Sequence, residues 1–211
     1  MTLSQRGAHR TAARRRAVLE EALDHAQAIA AEQGAGAVTA SEIARRMGMR
    51  PPSLYKYFPS VHDIYDALFA RGNARLAEYV KDAIADCEPG LDRLLEGQRA
   101  FIRWVTREAG LAPLLLWRPI PGFEPSANSY APAQALWRRG RDELRAAVQK
   151  GELTETADSD EAMRMLTITV AGVASQQLAN QPGVSYEEGL FTSLTEEVLN
   201  MFVSYYSPER G

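Results

Sequence analysis

The chain has 211 residues, 45% of them hydrophobic, enough for one good core or for a small module of roughly 50–70 residues joined to a larger body. Its single cysteine, Cys87, excludes an intramolecular disulfide; no apolar run approaches the roughly 18–20 residues of a membrane helix, and no secretory leader is evident, so a cytoplasmic protein is expected. The net charge of −3 argues against a nucleic-acid binder until its distribution is examined: residues 1–58 hold nine basic and five acidic side chains, and the remainder fifteen and twenty-two.

In chain order, residues 1–16 hold five arginines and no acid. They predict a flexible basic arm whose Arg14 and Arg15 reach phosphates, the other reading being a solvated tail. A helix follows from about Thr11 to Gln33, with Val18, Ala22, Ala26 and Ile29 at helical spacing and Gly34 to Gly36 ending it. Thr39 and Glu42 have the spacing of a capping box, which starts a helix carrying Ile43, Ala44 and Met47; Gly48 then supplies its left-handed end. Because a residue before proline is pushed out of the helical region, the next helix is expected to begin at Pro52 rather than Pro51, ending near Phe58. Leu54 and Phe58 then face inward, and Ser53, Tyr55, Lys56 and Tyr57 outward. Two short helices around a glycine turn, the second presenting hydroxyls, a cation and aromatics, have the helix-turn-helix geometry that fits a major groove.

At Ile43-Ala44, Gly48, and Leu54-Tyr55-Lys56-Tyr57-Phe58 followed by Pro59-Ser60, the chain resembles the TetR family of transcriptional regulators. The resemblance covers the first third of the chain. It implies an all-helical homodimer with an N-terminal DNA-binding domain and a C-terminal effector-binding domain. By position it puts Thr39 and Ser41 near the DNA backbone, Arg50, Pro51, Pro52, Ser53 and Lys56 towards base edges, and Tyr55 and Tyr57 on phosphates and bases. Two positions depart from the family pattern: Arg50 stands where a capping serine is common, and Val61 where a lysine is usual. His62, and helix N–H groups capped by Ser60 and Asp63, are expected to replace part of that lost phosphate contact.

A long helix is expected from Ser60 through Ile64, Leu68, Leu76 and Val80 to about Cys87, ended by Pro89 and Gly90. It joins the two modules and is the natural transmission element; Gly72 inside it either softens it or admits a neighbour. The body reads as helical over about 91–109, 111–117, 129–150, 159–180 and 186–206, with Asp158 and Glu161 available as caps for the fourth. That makes an all-α chain of about nine helices: a helix-turn-helix domain over 11–60 and an effector-binding and dimerisation domain over 61–211. Residues 118–132 contain four prolines and predict a loop.

The small residues Ala171, Gly172, Ala174 and Ser175, with Leu190, Leu194, Val198, Met201 and Tyr205, are candidates for a dimer interface; closing a monomer's own core is the other reading. Phe101, Trp104, Trp117, Tyr130, Trp137, Met165 and Thr169 are candidates to line a pocket for an apolar or aromatic effector, or else are core. Catalysis is not expected. His9, His25 and His62 have no metal-ligand spacing, Cys87 has no evident base, and no phosphate-cradling loop or nucleophile elbow occurs. No cofactor is implied. The expected function is a ligand-responsive transcription regulator, a repressor released from a pseudo-palindromic operator by a small effector, with double-stranded DNA, that effector and a second copy as partners. The alternative is a small-molecule-binding helical dimer with a degenerate helix-turn-helix.

Overall fold

The computed structural model describes residues 3–108 and 110–208. Among the described residues the chain is all-helical, with nine α-helices and no strand. Helix α1 spans Leu3–Gln33. The segment expected to be an arm is therefore helical from Leu3 onward; its first two residues, and the side chains of Arg6 and Arg10, lie outside the described residues. Gly34, at φ +87°, turns the chain after α1, and its N–H still bonds to the Ala30 carbonyl at 3.0 Å.

Helix α2, Ala40–Arg46, starts where the Thr39 hydroxyl accepts from the Glu42 N–H at 3.2 Å. Only that half of the expected capping box forms, because the Glu42 carboxylate turns instead to Arg45 and Arg46 on its own helix. Gly48 takes the left-handed conformation, φ +65°. Helix α3, Pro51–Leu54, begins one residue earlier than expected and is shorter. Arg50, extended at φ −81° and ψ 139°, absorbs the restriction that Pro51 imposes; the two prolines then occupy the first positions of the helix, where a missing N–H costs nothing. Residues 55–57 close as turns, with the Tyr57 and Phe58 N–H groups both on the Leu54 carbonyl.

Ser60 and Asp63 do form a complete capping box for α4, Val61–Ala83. Four residues short of the expected end, α4 gives way to turns that lead to Gly90, φ +103°. Gly72 in α4 is a packing glycine: a Cβ there would lie 2.7 Å from Leu115 Cδ1. The body continues with α5 (Leu91–Arg107), α6 (Ala112–Trp117), α7 (Ala127–Gln149), α8 (Asp160–Asn180) and α9 (Thr195–Tyr206).

The proline-rich loop ends at Ser126, whose hydroxyl caps α7, and Pro132 sits inside that helix. Helix α8 is capped by Ser159 rather than Asp158 or Glu161, since Asp158 is engaged by Arg141 and Arg145. Helix α9 starts nine residues late: residues 181–191 are irregular, because the Gln177 and Gln181 side-chain carbonyls take the N–H groups of Leu190, Phe191 and Thr192 that a helix would use.

Two apolar clusters hold the chain together. One runs unbroken from Ala26, Ile43 and Leu54 through Phe58, Ile64 and Leu68 to Leu111 and Leu114, so α4 is core to both the N-terminal helices and the body. The other, around Leu144, Leu166 and Phe202, joins α5, α7, α8 and α9.

Candidate functional site

Leu54 and Phe58 are buried against the core that also holds Ile43, and this anchors α3 and the following turn by one face. The opposite face carries the exposed Arg50, Pro52, Tyr55 and Lys56, with Pro51, Ser53 and Tyr57 half-buried. Ser41 on α2 and Thr39 before it are exposed, as are Arg14 and Arg15 on α1 and His62 at the start of α4. Arg15 donates to the Lys56 carbonyl at 3.3 Å and lies over the Tyr57 ring, 5.2 Å from its centroid. Its guanidinium thus fixes the end of the α3 turn from the neighbouring helix. Glu42 takes charged hydrogen bonds from Arg45 and Arg46, which hold its carboxyl down to about 2. These pairs spend two of the cations that the sequence counts as basic surface.

Helix α4 couples this face to the body through two polar contacts. The buried Tyr65 hydroxyl donates to the Ala35 and Val38 carbonyls, at 2.8 and 3.1 Å, in the link between α1 and α2. One residue on, the Asp66 carboxylate accepts from the Ser126 N–H (2.7 Å), the Ser126 hydroxyl (2.8 Å) and the Ser129 hydroxyl at the start of α7. Burial alone would raise the Asp66 carboxyl, but these three donors outweigh it and hold the group below its ordinary value. Beside them runs an aromatic file: Phe123 packs against His62, Tyr65 and Phe69, and Tyr130 stacks on Phe69 with centroids 5.9 Å apart.

Tyr130 and Phe69 also line a cavity of about 380 Å³. Its walls come from α4 (Phe69, Leu76, Val80), α5 (Leu94, Phe101), α7 (Leu136, Trp137) and α8 (Met163, Val170). Asn73 is a buried polar group on the wall, and its amide donates to the Phe69 carbonyl. Such a volume with predominantly apolar walls suits a small molecule.

Residues 22–68 match the sequence model of bacterial regulatory proteins of the tetR family. The N-terminal module belongs to the tetR family. Solved structures extend the likeness of fold over the body. The transcriptional regulator FadR from Bacillus subtilis, solved with stearoyl-CoA, is 20% identical with a TM-score of 0.72, over 88% of this chain and 97% of that one. The TetR-family regulator PfmR from Thermus thermophilus is 17% identical at 0.66, over 90% and 96%. AibR, solved with isovaleryl coenzyme A and operator DNA, is 15% identical at 0.65, over 90% and 98%. No curated protein is significantly similar to the chain in sequence.

Within this TetR fold, three of the seven expected pocket residues, Phe101, Tyr130 and Trp137, line the cavity. The other four do not. Trp104 is only 4% exposed and is core. Trp117 points out and donates its indole N–H to Ser175. Met165 receives the Tyr206 hydroxyl, and Thr169 bonds back to the Met165 carbonyl. The cavity side of α8 is Met163, Thr167, Val170 and Ala171; periodicity shows that one face is apolar but not which neighbour it meets. Ala171, expected at a dimer interface, therefore faces the cavity, whereas Gly172 is exposed in open space. Of the remaining interface candidates, Leu190 (63% exposed), Leu194, Met201 (69%) and Tyr205 (71%) are exposed, Ser175 and Val198 are half-buried, and Ala174 is buried in the chain's own core. Ile168 on α8, 72% exposed, joins them although sequence reasoning misses it. Its only sequence signal is an isoleucine out of phase with the buried Leu166 and Val170.

Proposed function

We propose that the protein is a homodimeric, ligand-responsive DNA-binding transcription regulator. The observation that carries this reading is the tetR-family module itself, with an anchored α3 displaying Arg50, Ser53, Tyr55 and Lys56 outward. Arg50 to Ser53 and Lys56 meet base edges, Tyr55 and Tyr57 meet phosphates and bases, and Thr39, Ser41, Arg14 and His62 meet the backbone. Arg15 acts by holding the α3 turn, not as a phosphate ligand.

The exposed apolar side chains Ile168, Leu190, Leu194, Met201 and Tyr205 on and beside α8 and α9 support pairing with a second copy, because scattered exposure needs no partner but an apolar face of this kind does. Such a dimer presents two reading helices, and a pseudo-palindromic operator with half-sites roughly 34–36 Å apart fits it. The cavity receives a small effector that is largely apolar or aromatic. Acyl-CoA ligands in FadR and AibR, two proteins of the same fold, support a ligand-binding body. An effector at Tyr130 and Phe69 acts on the same helix, α4, that the Asp66 contacts tie to α7. Preference for the non-binding dimer shape by about 3 kcal/mol lowers operator affinity roughly a hundredfold, which makes the protein a repressor released by its ligand.

The test is binding of the purified protein to DNA flanking its own gene and to pooled genomic fragments, against scrambled DNA, across a salt series with footprinting. A protected palindrome preferred by about a thousandfold or more is the expected result. Equal, weak binding to all DNA would instead favour a small-molecule-binding dimer with a degenerate reading head.

A further inference from the structure

The cavity does not end at its apolar wall. A recess of about 230 Å³ adjoins it, lined by Lys81, Ile84, Ala85, Arg93, Arg139 and Glu143, and all of these except Lys81 and Ala85 also line the larger cavity. Three cations therefore face one carboxylate. That carboxylate is already engaged: Glu143 accepts the Gly90 N–H at 2.8 Å and lies 3.6 Å from Arg93. Arg93 also donates to the Cys87 carbonyl, and Lys81 is paired with Glu78 at 2.8 Å on the solvent side. Arg139 is different. Among the described residues it makes no hydrogen bond or ion pair, and its charge opposes that of the nearby Lys81. An unpaired guanidinium held beside a second cation, at the edge of an apolar cavity, is a place where an anion would be paired by both.

We infer that the effector is amphipathic, with an apolar tail among Phe69, Leu76, Val80 and Phe101 and an anionic head, carboxylate or phosphate, in the recess against Arg139, Lys81 and Arg93. This rests on the reading of the larger cavity as the effector site. Arg118 is the rival partner for the head. It lines the larger cavity but not the recess, from a left-handed backbone at φ 45°.

The test uses the full chain without DNA and follows tryptophan fluorescence, to which the cavity-lining Trp137 contributes, and calorimetric heat on addition of decanoate, decyl phosphate and decanol. At least one of the two anions binds about tenfold more tightly than decanol, and the better of the two identifies the head. Arg139→Ala, at an exposed and unpartnered position, removes that preference by weakening the anions far more than decanol; Arg118→Asn, which tolerates the left-handed backbone, keeps it. Decanol binding as tightly as both anions, loss of the preference in Arg118→Asn but not in Arg139→Ala, or no binding of any of the three overturns the inference. Operator binding is measured separately on ligand-free protein, so failure of the regulator reading shows there and not here.

Discussion

Asp66→Ala removes the carboxylate that ties α4 to the start of α7. Three donors lose their acceptor: the Ser126 N–H, the Ser126 hydroxyl and the Ser129 hydroxyl. Hydrogen bonds to an ionised acceptor contribute about 1.5–3 kcal/mol each when buried, but here the site is half-open and water can replace part of each; the net loss is about 2 kcal/mol. The α7 cap survives, because Ser126 still accepts the Ser129 N–H. For a chain of this size the loss lowers Tm by about 4–8 °C. Urea unfolding at neutral pH should give a lower midpoint with unchanged slope.

The pH dependence has a definite sign. Because the folded carboxyl lies below its ordinary value of 3.8, its contribution is fully present above that value and is lost as pH falls through the lower folded value. Wild type and variant should therefore converge in acid. A difference below about 0.5 kcal/mol at neutral pH, or one that persists undiminished in strong acid, would refute the assignment.

Other perturbations probe the reading head. Tyr65→Phe leaves the Ala35 and Val38 carbonyls without their hydroxyl donor; unfolding free energy should drop by about 1–2 kcal/mol, and an unchanged value would mean that water already serves those carbonyls. The Glu42 carboxyl should titrate by NMR near 2 and not near 4.5, since hydrogen bonds from Arg45 and then Arg46 hold it down; its stabilising contribution is present above 4.5 and lost as pH falls towards 2, and Glu42→Gln should remove that part of the acid response. Arg15→Ala should weaken operator binding about two- to fivefold through loss of its contacts with Lys56 and Tyr57. The salt slope should change by much less than the roughly 0.9 that one phosphate contact contributes, and a full loss of that size would make Arg15 a phosphate ligand instead.

Much of this molecule was legible in one dimension because its signals are local. A hydroxyl three residues ahead of a backbone N–H, a glycine where the chain must turn left-handed, and apolar residues at helical spacing each act within a few bonds or one turn. They were enough for the all-helical class, the glycine turn, the Ser60 capping box and the inward Leu54 and Phe58. Local reading failed where a local rule met a competing partner. The Glu42 carboxylate turned away from the Thr39 N–H because two arginines lay on its own helix face, although the Glu42 N–H still donates to the Thr39 hydroxyl, and Asp158 lost its capping role to Arg141 and Arg145. The expected helix over 186–194 gave way to the side-chain carbonyls of Gln177 and Gln181. Which aromatics line the cavity, and which way α8 turns its apolar residues, depend on how α4, α5, α7 and α8 pack. Asp66 meets Ser126 sixty residues away, and Arg139 of α7 and Lys81 of α4 come to line one recess. Composition and periodicity measure how apolar a face is, and tertiary packing alone decides what that face meets.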